Sequence, residues 1–324
     1  MRAVLSNEVG GPETLVVAEV DEPAAGPGEV VIAVEAAALN FMDTLIIRDR
    51  YQVKPARPFS PSAECAGRIA ALGAGVEGLA VGERVLAYVG HGAAREKVVA
   101  PARVVVPVPD AVPADVAAGL SVAYGTTVHA LRDRGRLAAG ETLVVTGATG
   151  GVGQAAVEIG KLMGARVIAC VGGPDKVAAA RALGADDVVD LSAGDPKEAV
   201  KALTGGAGAD VVYDAVGADL VDPLVRATAW GGRYLVIGFA GGDIPKLALN
   251  LVLLKSIDVV GVHWGRWTER DPAGQAANMR WLLAEVAAGR LRPTVHARYA
   301  LEDTAAALAE IEARRVRGKV VLVP

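Results

Sequence analysis

Cysteine is nearly absent: Cys65 and Cys170 are the only two in 324 residues. Two isolated thiols cannot build a disulfide framework or a cysteine-rich metal site, and both are expected to be free in a reducing compartment. His91, His129, His263 and His296 are scattered, with no histidine pair at metal-binding spacing, so no zinc site of ordinary ligands can be assembled locally. Long apolar runs are missing as well. The longest uncharged segments, such as Thr142–Val157, are broken by glycines and fall short of the roughly 20 apolar residues of a membrane span. The opening residues carry Asn7, Glu8, Glu13 and Glu19 and no apolar core, so no secretory signal is expected. Nor is there an excess of one charge: 33 basic and 37 acidic residues are interspersed, for a net charge of −4. That leaves no electrostatic footprint for nucleic acid or an anionic membrane. A soluble cytoplasmic protein with a small-molecule partner is expected.

What the chain has in excess is glycine, 39 residues, or about 12% against a usual 7%. No Gly-X-Y period accompanies it, so tight turns and close backbone approach are its use. The length suggests about two domains at roughly 150 residues each. Up to about residue 110 the chain reads as short strands: Val30–Val34, Cys65–Ala70, Arg84–Val89 and Arg103–Val106, separated by Gly and Pro. A compact, distorted β-barrel is the expected result. From Pro113 to about Arg134 the pattern turns helical. Six short apolar runs then alternate with amphipathic segments: Thr142–Thr146, Arg166–Val171, Asp187–Val189, Asp210–Tyr213, Arg233–Ile237 and Ile257–Val260. Strand, helix, strand in this repetition predicts a doubly wound parallel sheet of the Rossmann type. The tail from Asn278 is expected to add two helical segments and a last strand, Lys319–Val323.

The strongest motif is Thr146-Gly147-Ala148-Thr149-Gly150-Gly151-Val152-Gly153, which follows a predicted strand and opens a predicted helix. That context predicts dinucleotide binding, with the pyrophosphate on the helix N-terminus. An NAD site usually carries Asp or Glu at the end of the next strand to hold the ribose 2′-hydroxyl. Here that strand ends Cys170-Val171-Gly172-Gly173, without a carboxylate, and Lys176 follows shortly after. NADPH is the favoured coenzyme.

Glu64-Cys65-Ala66-Gly67 and Val81-Gly82-Glu83-Arg84-Val85, set ahead of this glycine-rich half, resemble the medium-chain dehydrogenase/reductase superfamily. Within it the chain is most similar to the zinc-free quinone oxidoreductases, the ζ-crystallin-like branch. The resemblance runs nearly end to end and includes Leu39-Asn40-Phe41-Met42-Asp43, Asp214-Ala215-Val216-Gly217 and Gly318-Lys319-Val320-Val321-Leu322. It implies a GroES-like β-barrel catalytic domain over 1–120, rejoined by 265–324, and a Rossmann NADPH-binding domain over 121–264. Where zinc-dependent relatives carry three metal ligands, this chain has Asn40, Ala63 and Val122. No metal site is expected.

By the same resemblance, Asn40, Asp43 and Tyr51 are the expected catalytic residues. Coenzyme contacts are expected from Asn40, Thr126, Ala148, Thr149, Gly150, Gly151, Val152, Gly153, Lys176, Val216, Gly238, Phe239, Arg314 and Lys319. Leu45 and Leu191 stand where relatives often carry tyrosines. The expected activity is NADPH-dependent, zinc-independent hydride transfer to a quinone or similar electron-poor acceptor, in a cleft between the domains. An enone or 2-enoyl-thioester (enoyl-CoA) reductase is the alternative, for which Arg48, Arg50, Lys54 and Arg57 offer a basic cluster. A catalytically silent NADPH-binding protein is the alternative of another class. The final sheet strand, Ile257–Val262, is β-branched and weakly protected, so a homodimer through that edge is expected.

Overall fold

Glycine and proline punctuation cuts the first hundred residues into short β-branched runs, and the runs become strands. A computed structural model describes residues 1–324. Its first elements are β1 (Arg2–Leu5), β2 (Val16–Glu19), β3 (Glu29–Leu39), α1 (Phe41–Ile46), β4 (Glu64–Leu72), β5 (Arg84–Tyr88), β6 (Lys97–Pro101) and β7 (Val105–Pro107). The predicted strand over Arg103–Val106 is shifted: Ala102–Val104 is a 3-10 turn, and pairing starts only at Val105. The helical stretch after Pro113 is also subdivided. It forms α2 (Ala114–Ala118) and α3 (Leu120–Val128), separated at Gly119, and then widens into a π-helical turn over His129–Arg134.

Residues Thr126–Arg266 form one compact unit. Its elements are β8 (Thr142–Thr146), α4 (Gly151–Leu162), β9 (Arg166–Val171), α5 (Val177–Ala182), β10 (Asp187–Asp190), α6 (Pro196–Leu203), β11 (Ala209–Asp214), α7 (Val221–Ala227), β12 (Thr228–Val236), α8 (Leu249–Lys255) and β13 (Asp258–Gly261). The six strands pair in parallel in the order β10-β9-β8-β11-β12-β13. Parallel neighbours require crossover connections, and the helices supply them. Gly164, at φ +82, takes the left-handed position just past α4 that stops the helix. Val144, Ile168, Val212 and Tyr234 from four adjacent strands meet in one buried cluster. The order reverses direction between β8 and β11, and in such sheets ligands bind beyond the strands' carboxyl ends at that reversal.

The other unit comprises Met1–Gly125 and Trp267–Pro324. After α9 (Trp264–Arg270), the tail contributes α10 (Pro272–Ala287), β14 (Val295–Ala300), α11 (Thr304–Glu312) and β15 (Lys319–Val323). Two helices and the last strand were expected here; β14 is an addition, and it pairs in parallel with β15. The sheet runs β14-β15-β3-β4-β5-β7, with β6 also on β3, so the final strand is seated beside the long early one. β3 is irregular against β4, with register shifts at Val31/Ile32 and Val34/Ala36. Gly67 lies opposite the second irregularity, where a Cβ would stand 2.0 Å from the Ala33 carbonyl oxygen. Gly67→Ala should therefore cost about 1–3 kcal/mol, by analogy with overpacked cores. Urea unfolding should show a lower midpoint with an unchanged slope; an unchanged midpoint would show that the β3–β4 contact yields freely.

Candidate active site

The glycine-rich turn lies at the carboxyl end of β8, on the inner side of the sheet reversal. Gly147 has φ +59, and a Cβ on Gly153 would stand 2.1 Å from the Gly147 carbonyl oxygen. Only glycine at 153 allows α4 to start this close to the turn. Gly150 is the N-cap and caps with no side chain; the first backbone bond back to it comes from Gln154, at 2.8 Å. The N–H groups of the opening turn precede that bond and have no acceptor within the helix. Gly150, Gly151 and Val152 are partly exposed, whereas Ala148, Thr149 and Gly153 are buried. An uncapped, side-chain-poor helix start fits a dinucleotide pyrophosphate.

Some of the other residues assigned to the coenzyme lie beside this turn. Val216 Cγ2 comes within 3.2 Å of the place a Cβ would take on Gly147, and Phe239 packs against Gly217 in the same manner. Thr126 is buried on α3; its neighbour Thr127 hydrogen-bonds Tyr213 at 2.9 Å and reaches the Val152 carbonyl at 3.4 Å. Lys176 ends the 3-10 turn that follows β9. The carboxylate missing from the end of β9 appears one strand over. Asp190 closes β10, pairs in register with Val171, and accepts from Gly173 N (3.0 Å), Ser192 N (2.9 Å) and Ser192 Oγ (2.7 Å).

In the other unit Asn40, Asp43 and Lys319 are brought together by a residue the sequence had flagged without a role. Glu64 is fully buried and Lys319 is 5% exposed. Lys319 Nζ donates to Glu64 Oε1 at 2.9 Å, to the Leu39 carbonyl at 3.3 Å and to Asn40 Oδ1, three acceptors for three ammonium hydrogens. Asn40 Nδ2 donates to the same Glu64 oxygen at 2.9 Å, and Val122 N donates to the other at 2.7 Å. The Asn40 side chain is thereby drawn into the cluster, although its position is the N-cap of α1. Asp43 caps from the other direction, accepting Asn40 N at 2.8 Å and Ser62 N at 2.9 Å. Burial pushes the Asp43 carboxyl from its ordinary 3.8 up to about 6, against the lowering pull of the two N–H donors and Lys319. Burial, and then the Asp43 charge, raise the Tyr51 hydroxyl above its usual value. Arg314, in the same unit, lies just past α11 with φ +56.

Known proteins match the chain over nearly its whole length. Residues 26–110 match the alcohol dehydrogenase GroES-like domain family, and 151–279 match the zinc-binding dehydrogenase family. Quinone oxidoreductase-like protein 2 of Rattus norvegicus is 36% identical over 322 residues, covering 99% of this chain and 91% of the relative. The chain belongs to the medium-chain dehydrogenase/reductase superfamily, in its quinone oxidoreductase branch. A quinone oxidoreductase of Pseudomonas syringae superposes with a TM-score of 0.93 at 33% identity, covering 100% of this chain and 99% of the other. The Escherichia coli quinone oxidoreductase, solved with NADPH, superposes with a TM-score of 0.92 at 27% identity, covering 100% of both chains.

The name of the second matching family raises the question of zinc, and the residues here do not fit that ion. Ala63 and Val122 bring no donor, Asn40 is engaged by Lys319 and Glu64, and no group of three His, Cys, Asp or Glu side chains is placed to hold a metal. Among the residues of this quinone oxidoreductase branch member, Asp43 is the one in the cluster whose raised titration approaches neutrality, and it affects stability. The folded state holds its proton more tightly than the unfolded chain. Its contribution is therefore most favourable below pH ~4 and is lost as pH rises through about 6. Between about pH 5 and about pH 7.5 the loss should be about 1.4 kcal/mol, and Asp43→Asn should remove it. Urea unfolding of both proteins at the two pH values is the check; a constant difference between them would mean that Asp43 does not titrate in this range.

Proposed function

We propose that the protein is an NADPH-dependent reductase that delivers hydride to a quinone or similarly electron-poor acceptor without zinc. The observation that carries this reading is the uncapped start of α4, reached through Gly147 and Gly153 at the sheet reversal. NADPH rather than NADH is supported by the end of β9, which has no carboxylate of its own, and by Lys176, which ends the turn that follows it. Lys176 and Arg314 are the proposed phosphate contacts. When bound, the coenzyme supplies the hydride, and the acceptor takes up one proton as well to leave as the hydroquinone. The chain's part is orientation. Asn40, held at both ends of its amide, is a fixed wall of the site. Tyr51, whose hydroxyl stays protonated at neutral pH, donates a hydrogen bond to the acceptor carbonyl. Arg48 is ion-paired with Glu312, and Arg57 with Asp49 at 2.9 Å, so half of the basic cluster that would favour a coenzyme A thioester is already engaged.

NADPH oxidation against a panel of quinones, enones and an enoyl thioester, with chelator present, tests the reading. Quinones should turn over with NADPH preferred. Lys176→Ala should weaken NADPH by roughly ten- to a hundredfold, and NADH far less. Preference for the thioester would replace the quinone assignment; NADPH binding without turnover of any acceptor would make this a silent binding protein.

Assembly as a homodimer through β13 belongs to the same proposal. β13 is an edge strand, and Leu249, Leu253 and Leu254 on the preceding α8 are all more than 60% exposed. Val262 N donates inward to the Val236 carbonyl. By alternation along a strand, the Val260 N–H also faces β12, and the Val259 and Gly261 N–H groups face outward. Val259→Pro should thus weaken the dimer and spare the fold, whereas Val260→Pro should disrupt β13 itself. Sedimentation equilibrium reads both; a wild type that stays monomeric at micromolar concentration, or a Val259→Pro dimer of undiminished affinity, refutes the edge pairing.

A further inference from the structure

One buried carboxylate has no part in the reading above. Asp214 ends β11, is 2% exposed, and is in contact with no cation. Its charge is met by neutral donors. Oδ1 accepts from Thr146 Oγ1 at 2.6 Å, Val216 N at 3.0 Å and Gly217 N at 3.1 Å. Oδ2 accepts from Tyr234 OH at 2.5 Å and shares the Gly217 N–H at 3.1 Å. Thr146 Oγ1 accepts in turn from Ala215 N at 3.0 Å. Thr146, Asp214 and Tyr234 belong to β8, β11 and β12, three neighbours in the sheet. One side chain therefore joins three strands near their carboxyl ends.

The bonds are placed where the two turns of the candidate coenzyme site begin. Thr146 is the last residue before the glycine-rich turn, and Val216 and Gly217 form the turn after β11. The two turns touch at Gly147 and Val216. The segment after β12 is tied to the same residue through Ile237 N, which donates to the Asp214 carbonyl at 2.9 Å. Stability alone gives little reason for a lone anion at this place, because an apolar residue would avoid the cost of desolvating the charge. What a carboxylate does supply is several strong acceptor positions at one point, enough to fix both turns at once.

We propose that Asp214 is a positioning residue for the coenzyme: with Thr146 it locks the glycine-rich turn and the Val216–Gly217 turn into one preformed surface. The proposal rests on the coenzyme reading above, and the test separates the two. NADPH binding is titrated by fluorescence on the intact protein, alongside KM values for NADPH and for the quinone. Thr146→Val keeps shape and loses the hydroxyl; Thr146→Ser keeps the hydroxyl; Asp214→Asn replaces acceptors with a donor facing Gly217 N–H. Thr146→Val and Asp214→Asn should each weaken NADPH binding about tenfold or more, with KM for the quinone little changed. Thr146→Ser should recover most of that loss.

Two results overturn the proposal: a folded Thr146→Val protein that binds NADPH like wild type, or Thr146→Ser falling as far as Thr146→Val. If Asp214→Asn does not fold, the two Thr146 variants still decide. A wild type that binds no NADPH overturns the coenzyme reading, and the role of Asp214 with it.

Discussion

The Glu64–Lys319 ion pair is the interaction on which the cluster around Asn40 depends. It joins β4 to β15, strands far apart in the chain, inside a region where neither side chain reaches solvent. A buried pair of this kind adds little net stability, because the Coulombic gain is set against two desolvations. Loss of either partner is a different matter, since the remaining charge is left without compensation. The geometry makes the pair more than a staple. Glu64 has two oxygens, and it uses both to hold neighbours: one takes Asn40 and Lys319, the other the Val122 backbone. Lys319 in turn fixes the opposite end of the Asn40 amide. The orientation of Asn40 is therefore a consequence of the ion pair.

The same network surrounds Asp43, whose raised titration comes from burial first. Asn40 would ordinarily cap α1 with its side chain, and that side chain is committed elsewhere. Asp43 takes over the cap by accepting Asn40 N, and it stabilises the loop at Ser62 with its second oxygen. A carboxylate so enclosed has good donors and almost no water, and the lack of water dominates. Burial keeps the proton on Tyr51, and the nearby Asp43 charge adds to it.

Much of the architecture could be read from residues, and the failures have physical causes. The β8 and β9 boundaries coincide with apolar runs closed by Gly147 and Gly172, where period and punctuation agree. β14 was missed because Val295–Ala300 alternates half-buried and exposed residues at a sheet edge, with His296 and Arg298 outward, and no long apolar run marks it. The doubly wound parallel sheet was predicted because short apolar runs alternate with segments long enough for crossover helices. The site was legible only where function leaves a local signature. Glycines packed against backbone do so; Glu64, Asp190 and Asp214 do not, because their partners come from other strands. A carboxylate's role is set by what folds around it.

Glu64 and Asp214 show two solutions to one problem, a buried carboxylate. Glu64 is neutralised by an ammonium, which leaves a compact, paired cluster. Asp214 is satisfied by hydroxyl and amide hydrogens alone, with no cation against it, at the carboxyl end of the parallel sheet. Such a carboxylate suits a place where backbone must be held and no side chain may intrude. The glycines at 147 and 153 clear the space, and they also leave that backbone without side-chain contacts to hold it. A turn so built needs its order supplied from outside, and the Asp214 carboxylate, through Thr146, is what supplies it.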